Sequence, residues 1–132
     1  MSLIYLDASA LVKIVVAEPE SEALRAFLRS RPDRLSSALS LTEVPRALRR
    51  AQFVGAVRRR ALRVLARLAL VDVDRRILSA AAALEPSTLR TLDAIHLATA
   101  LVVREDLAAL VTYDSRLAAA AERLDLEVLA PS

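Results

Sequence analysis

Four carboxylates stand at comparable places along the chain. Asp7 closes the apolar run LIYL, Glu43 ends SLTE, Asp93 falls within TLDAIHLATA, and Asp114 closes LVTYD. Each has a purely structural use. Asp7 and Asp114 suit the N-caps of following helices. Glu43 suits the third-position partner of Ser40 in a capping box. Asp93 opposes a helix dipole, an effect of about 0.3–1 kcal/mol. Taken together they suggest chemistry, because carboxylates meeting in a partly desolvated crevice repel one another until a proton or a cation relieves them. With no cysteine and one histidine in the chain, the donors are hard oxygens, which favour Mg2+ or Mn2+ over zinc. His96 reads as a hydrogen-bonded structural residue rather than a ligand. As the only histidine it excludes acid–base chemistry by a histidine pair.

Positioning these acids requires particular elements. Leu3–Leu6 reads as a strand, and 9–16 as a helix closed by Glu18-Pro19, since the residue before proline is pushed out of helical backbone. The spacing of Ala23, Leu24, Phe27 and Leu28 predicts a helix over 20–29, and a short strand is expected near Leu35–Ser37. Ser40 to Glu43 opens a further helix, with Pro45 near its tolerant start. Gly55, the only glycine, separates that helix from another over 56–70. A strand at 70–73, helices at 75–84 and 91–103, a strand ending at Asp114, a helix over 115–124 and a last strand at 127–129 complete the chain.

Strands alternating with helices, without an Asn-Gly or Asp-Gly hairpin signal, predict an α/β fold with helices on both faces of a parallel sheet. In such a sheet the carboxyl ends of strands and the starts of the following helices share one edge, where ligand sites form. All four acids map to that edge. A lone glycine excludes GxGxxG and Walker A phosphate loops.

The chain has 132 residues, 55% of them hydrophobic, which is enough for one domain over 1–132 with an aliphatic core. No apolar stretch is long enough to cross a membrane, and no basic leader precedes the first strand, so a cytoplasmic protein is expected. The net charge is +3, and Lys13 is the only lysine, so 18 of the 19 basic residues are arginines. Planar, bidentate arginine suits phosphate, making nucleic acid the first candidate partner, although a biased base composition would also enrich arginine. Arg46, Arg49 and Arg50 are candidates to contact a nucleic-acid backbone, against the plain alternative of a solvated helix face.

The blocks YLDASALVK, EPES, SLTEVPRAL, LRTLDAIHLATAL and LVTYDSRL resemble the PIN-domain family, and within it the VapC-type toxins of toxin–antitoxin pairs. The resemblance covers nearly the whole chain, and YLDASALVK with DAIHLATA carries most of its specificity. It implies a three-layer α/β/α sandwich with a central parallel sheet and a Mg2+- or Mn2+-dependent endoribonuclease site. Asp7, Glu43, Asp93 and Asp114 would then form the acidic, metal-binding quartet. Ser9, Thr112 and Ser115 would support it or touch phosphate. The resemblance further implies an RNA substrate, products with 5′-phosphate and 3′-hydroxyl ends, a homodimer and a cognate VapB-type antitoxin.

Other functions place an aspartate after a first strand. A haloacid-dehalogenase-type phosphatase needs a second aspartate two positions on, where this chain has Ser9. A receiver domain needs an early acidic pair and a late lysine, both missing. Two alternatives keep the fold: a stand-alone ribonuclease of RNA processing, and an inactive RNA-binding scaffold.

Overall fold

The computed structural model describes all 132 residues. Five short strands form one parallel sheet in the order β3-β2-β1-β4-β5. They are β1 (Leu3–Leu6), β2 (Arg34–Ser37), β3 (Ala69–Val71), β4 (Leu107–Val111) and β5 (Val128–Leu129). The helices between them are α1 (Ala8–Val15), α2 (Ser21–Leu28), α3 (Ser40–Arg50), α4 (Ala56–Ala66), α5 (Arg75–Ala82), α6 (Thr91–Val102) and α7 (Ser115–Arg123). The strand order reverses at β1, with β2 on one side and β4 on the other. Helices α1–α4 fill the connections from β1 through β2 to β3, and α5–α7 those from β3 through β4 to β5. They cover opposite faces, giving the three-layer α/β/α sandwich.

The side-chain alternation of β1 divides the core. Ile4 and Leu6 point into an aliphatic cluster with Leu11, Leu24, Val44 and Leu65 of α1–α4. Tyr5 points the other way, among Leu97, Leu110 and Leu117. A register shift between the first two pairs of β1 and β4 sets Leu3 against Leu107 but Ile4 against Ala109. Ala108 is the extra residue, a β-bulge. Past it, Ala109 and Val111 join the α1–α4 side while Leu110 faces α6 and α7.

Several boundaries differ from those read in the sequence. The helix expected over 56–70 ends at Ala66, and its last residues become β3. Its apolar residues continue inward across this change, so periodicity alone hides the transition. Pro45 is the sixth residue of α3, not part of its first turn. There the hydrogen bond that proline cannot donate would go to the carbonyl of Leu41, at an exposed position where solvent can replace the lost donor. Gly55 precedes α4 with φ +61, and open space surrounds the place of a Cβ, so backbone conformation rather than crowding requires glycine. No helix is long and apolar enough to cross a membrane.

Leu110, the fourth residue of β4, is fully buried. Leu110→Ala should lower the unfolding free energy by about 2–5 kcal/mol in urea titrations, the cost of the lost transfer energy plus a cavity.

Candidate active site

The register that pairs Leu6 with Val111 continues one residue further, bringing Asp7 opposite Thr112 at the carboxyl edge. Asp7 caps α1 by accepting the Ala10 N–H at 3.0 Å. The same oxygen, Oδ1, accepts the Ser9 hydroxyl at 2.6 Å, and Oδ2 accepts the Thr112 hydroxyl at 2.6 Å. Those two hydroxyls are themselves held. Ser9 Oγ accepts the Tyr113 N–H at 3.0 Å, and Thr112 Oγ1 accepts the Asp114 N–H at 3.1 Å. Asp7 is only 3% exposed, and no lysine or arginine pairs with it. Burial therefore raises its pKa, and the hydrogen bonds from Ser9, Thr112 and Ala10 offset this only in part.

Asp114 caps α7, its Oδ1 accepting the N–H groups of Arg116 at 2.9 Å and Leu117 at 3.2 Å. Asp93 lies in the first turn of α6. A single guanidinium joins them: Arg90 donates through Nε to Asp93 at 3.0 Å and through Nη2 to Asp114 at 2.6 Å. The Arg90 side chain is 61% exposed, so these pairs add little stability. Their consequence is geometric, since they hold two like charges side by side. The hydrogen bond to Asp93 and the charges of both acids raise the Arg90 pKa.

Glu43 is in the first turn of α3 but takes no part in a capping box. Ser40 lies inside the helix and is buried, its hydroxyl 2.8 Å from that of Ser36. The turn into α3 is closed instead by Ser37 Oγ, which accepts the Leu39 N–H at 3.0 Å. Glu43 is thereby free to meet His96, with Oε1 2.5 Å from Nε2. On its other side His96 Nδ1 lies 2.7 Å from the Tyr5 hydroxyl. Burial pushes the Tyr5 pKa upward, so the phenol keeps its proton and can donate to Nδ1. His96 then donates from Nε2 to Glu43. His96 is 2% exposed and hydrogen-bonded at both nitrogens, which agrees with the structural role read from the sequence.

The acids thus lie along one edge in three settings: Asp7 among hydroxyls, Asp93 and Asp114 on Arg90, and Glu43 on His96. No three of these side chains approach closely enough to hold a metal ion as they stand. The donor set still fits a hard divalent cation, because it is all oxygen and includes a buried carboxylate without a cationic partner. Ser115 is exposed at the start of α7, in a depression with Arg90, Tyr113 and Asp114. Arg46 and Arg50 line a groove with Ser9 and Glu43, and Arg49 adjoins both arginines. Sequence reasoning missed Arg90 and Tyr5. Arg90 has a local signal, its i,i+3 spacing to Asp93; Tyr5 has none.

The raised Asp7 pKa has a definite sign in stability. Above about pH 4 an unfolded aspartate has lost its proton while the native one still holds it, so stability falls as pH rises through the native value. Asp7→Asn removes that loss. In metal-free buffer the variant should melt above the parent at pH 7, with the gap closing below pH 4.

The PIN-domain family model matches residues 4–123. Ribonuclease VapC46 of Mycobacterium tuberculosis is 52% identical over 132 residues, covering all of both chains. Ribonuclease VapC35 of the same species is 47% identical, covering 98% of this chain and 97% of its own. Among solved structures, M. tuberculosis VapC20, a sarcin–ricin-loop-cleaving toxin, superposes with a TM-score of 0.71 at 16% identity, covering 89% of this chain and 94% of its own. Neisseria gonorrhoeae FitAcB superposes with a TM-score of 0.68 at 20% identity, covering 97% of each chain. A sheet ordered around β1, an acidic edge and full-length identity of this degree lead to one assignment: the chain belongs to the PIN-domain family, in its VapC-type branch.

Proposed function

We propose that this protein is a Mg2+- or Mn2+-dependent endoribonuclease, the toxin of a VapBC-type pair, which hydrolyses RNA phosphodiesters. The observation that carries the reading is Asp7: a buried carboxylate, unpaired with any cation, at the reversal point of a parallel sheet and on the same edge as three other acids. Full-length identity to a VapC ribonuclease supports the substrate class.

In this reading Asp7 and Asp93 hold the principal metal, and Glu43 and Asp114 complete its surroundings. A divalent ion, when bound, activates water and shields the phosphate charge. The residues of the chain prepare the site. Ser9 and Thr112 fix both oxygens of Asp7, so its orientation is set before any ligand arrives. His96, held by Tyr5, fixes Glu43 in the same way. Arg90 steadies Asp93 against Asp114. Arg46, Arg49 and Arg50 draw the RNA backbone into the groove that reaches Ser9 and Glu43. Ser115 offers a hydroxyl to phosphate beside Asp114. A VapB-type antitoxin that blocks this edge and a homodimer complete the proposal.

Purified protein should cleave RNA in Mg2+ or Mn2+ and stop on EDTA addition, with 5′-phosphate and 3′-hydroxyl ends found on sequencing. Asp7→Asn should abolish cleavage while remaining folded by circular dichroism. Thr112→Val, which removes only an orienting hydroxyl, should retain cleavage lowered by about 10–100-fold. EDTA-resistant cleavage, or a fully active Asp7→Asn protein, would sink the metal reading.

A further inference from the structure

A second cavity, of about 630 Å³, opens between α7 and the segment before α6. Arg116 and Arg123 stand at its ends, seven residues apart on one side of α7. That is two helical turns, about 10.5 Å. Between them Ala119 and Ala120 leave a shallow floor, while Leu89 with Pro86 forms an apolar wall opposite. Neither guanidinium makes a salt bridge. Every arginine but Arg90 shares that state, so what sets Arg116 and Arg123 apart is the apolar cavity between them. Arg116 also lines the depression that contains Asp114, Arg90 and Ser115, so the cavity runs into the acidic edge.

The geometry points to a nucleotide subsite for single-stranded RNA in this cavity, on the opposite side of the acids from Arg46, Arg49 and Arg50. An unstacked base lies over Ala119 and Ala120 against Leu89, and the phosphates on either side of it meet Arg116 and Arg123. Unpaired RNA suits such a place, because splayed bases pack on apolar surface and guanidinium planes, whereas a duplex keeps its bases stacked inside. The substrate then crosses the site from the α3 arginines to the α7 arginines, with the scissile bond between. This inference rests on the ribonuclease reading and names the form of RNA that the site accepts.

Binding is tested on the full chain in EDTA, where cleavage is blocked, by anisotropy of a fluorescein-labelled single-stranded 12-mer over a range of KCl concentrations. The Arg116→Ala/Arg123→Ala protein should bind on the order of tenfold more weakly, and its log Kd against log salt slope should fall by about 1.4, or 0.7 per lost phosphate contact. Ala119→Leu, which fills the floor without changing charge, should weaken binding and leave the slope unchanged. Arg59→Ala/Arg63→Ala on α4 removes the same charge across the sheet and should have the smaller effect. The proposal is overturned if the α7 pair leaves slope and affinity unchanged, if the α4 control matches it, or if duplex binds as well as single strand. It is also overturned if the α7 pair alters only the oligomeric state or antitoxin binding, because the cavity would then be a protein interface. Absence of cleavage by the parent in Mg2+ would instead count against the ribonuclease reading, independently of these binding results.

Discussion

The site depends on one buried carboxylate being held across two strands that are distant in sequence. Asp7 and Thr112 are 105 positions apart, yet one hydrogen bond of 2.6 Å joins them where β1 meets β4. Burying an unpaired charge is unfavourable, and the hydroxyls of Ser9 and Thr112 reduce that cost without removing it. In the proposed function, that remaining imbalance is what a bound cation would relieve. Had Asp7 been matched with an arginine, the edge would be more stable and less able to bind a metal.

The other acids are managed by different means. Arg90 satisfies Asp93 and Asp114 from an exposed position, where a flexible guanidinium can leave at little cost. Glu43 is tied through His96 to Tyr5, a line of contacts running from the core to the edge. Asp7 and Glu43 are thus oriented by largely buried groups and the Asp93–Asp114 pair by an exposed one. One half of the acidic edge is fixed by hydrogen bonds from the protein interior, and the other half faces solvent.

Much of this was legible in the sequence. Two strands ending in acids, helices between all successive strands and the lack of hairpin signals led to the parallel sandwich and its acidic edge. Local pattern misled where tertiary contacts outweighed it. Ser40 and Glu43 have capping-box spacing, but each found a partner elsewhere, in Ser36 and His96. The Tyr5–His96 and Glu43–His96 contacts span 91 and 53 positions, and no periodicity reports on pairs so far apart. The end of α4 was hidden because Leu68 and Leu70 suit a helix face and a strand equally well.

The bulge at Ala108 carries a further consequence. Downstream of it, successive side chains of β4 are in phase with those of β1, and only in that phase does the Thr112 hydroxyl emerge on the side of Asp7. Removing Ala108 itself would leave Leu107 and Ala109 opposite Leu3 and Ile4, whereas a one-residue deletion between Ala109 and Val111 would shift the phase and turn Thr112 away. Chain length between the bulge and Thr112 is therefore constrained twice, by the carboxylate at the strand's far end and by the opposite core faces that Leu110 and Val111 must reach.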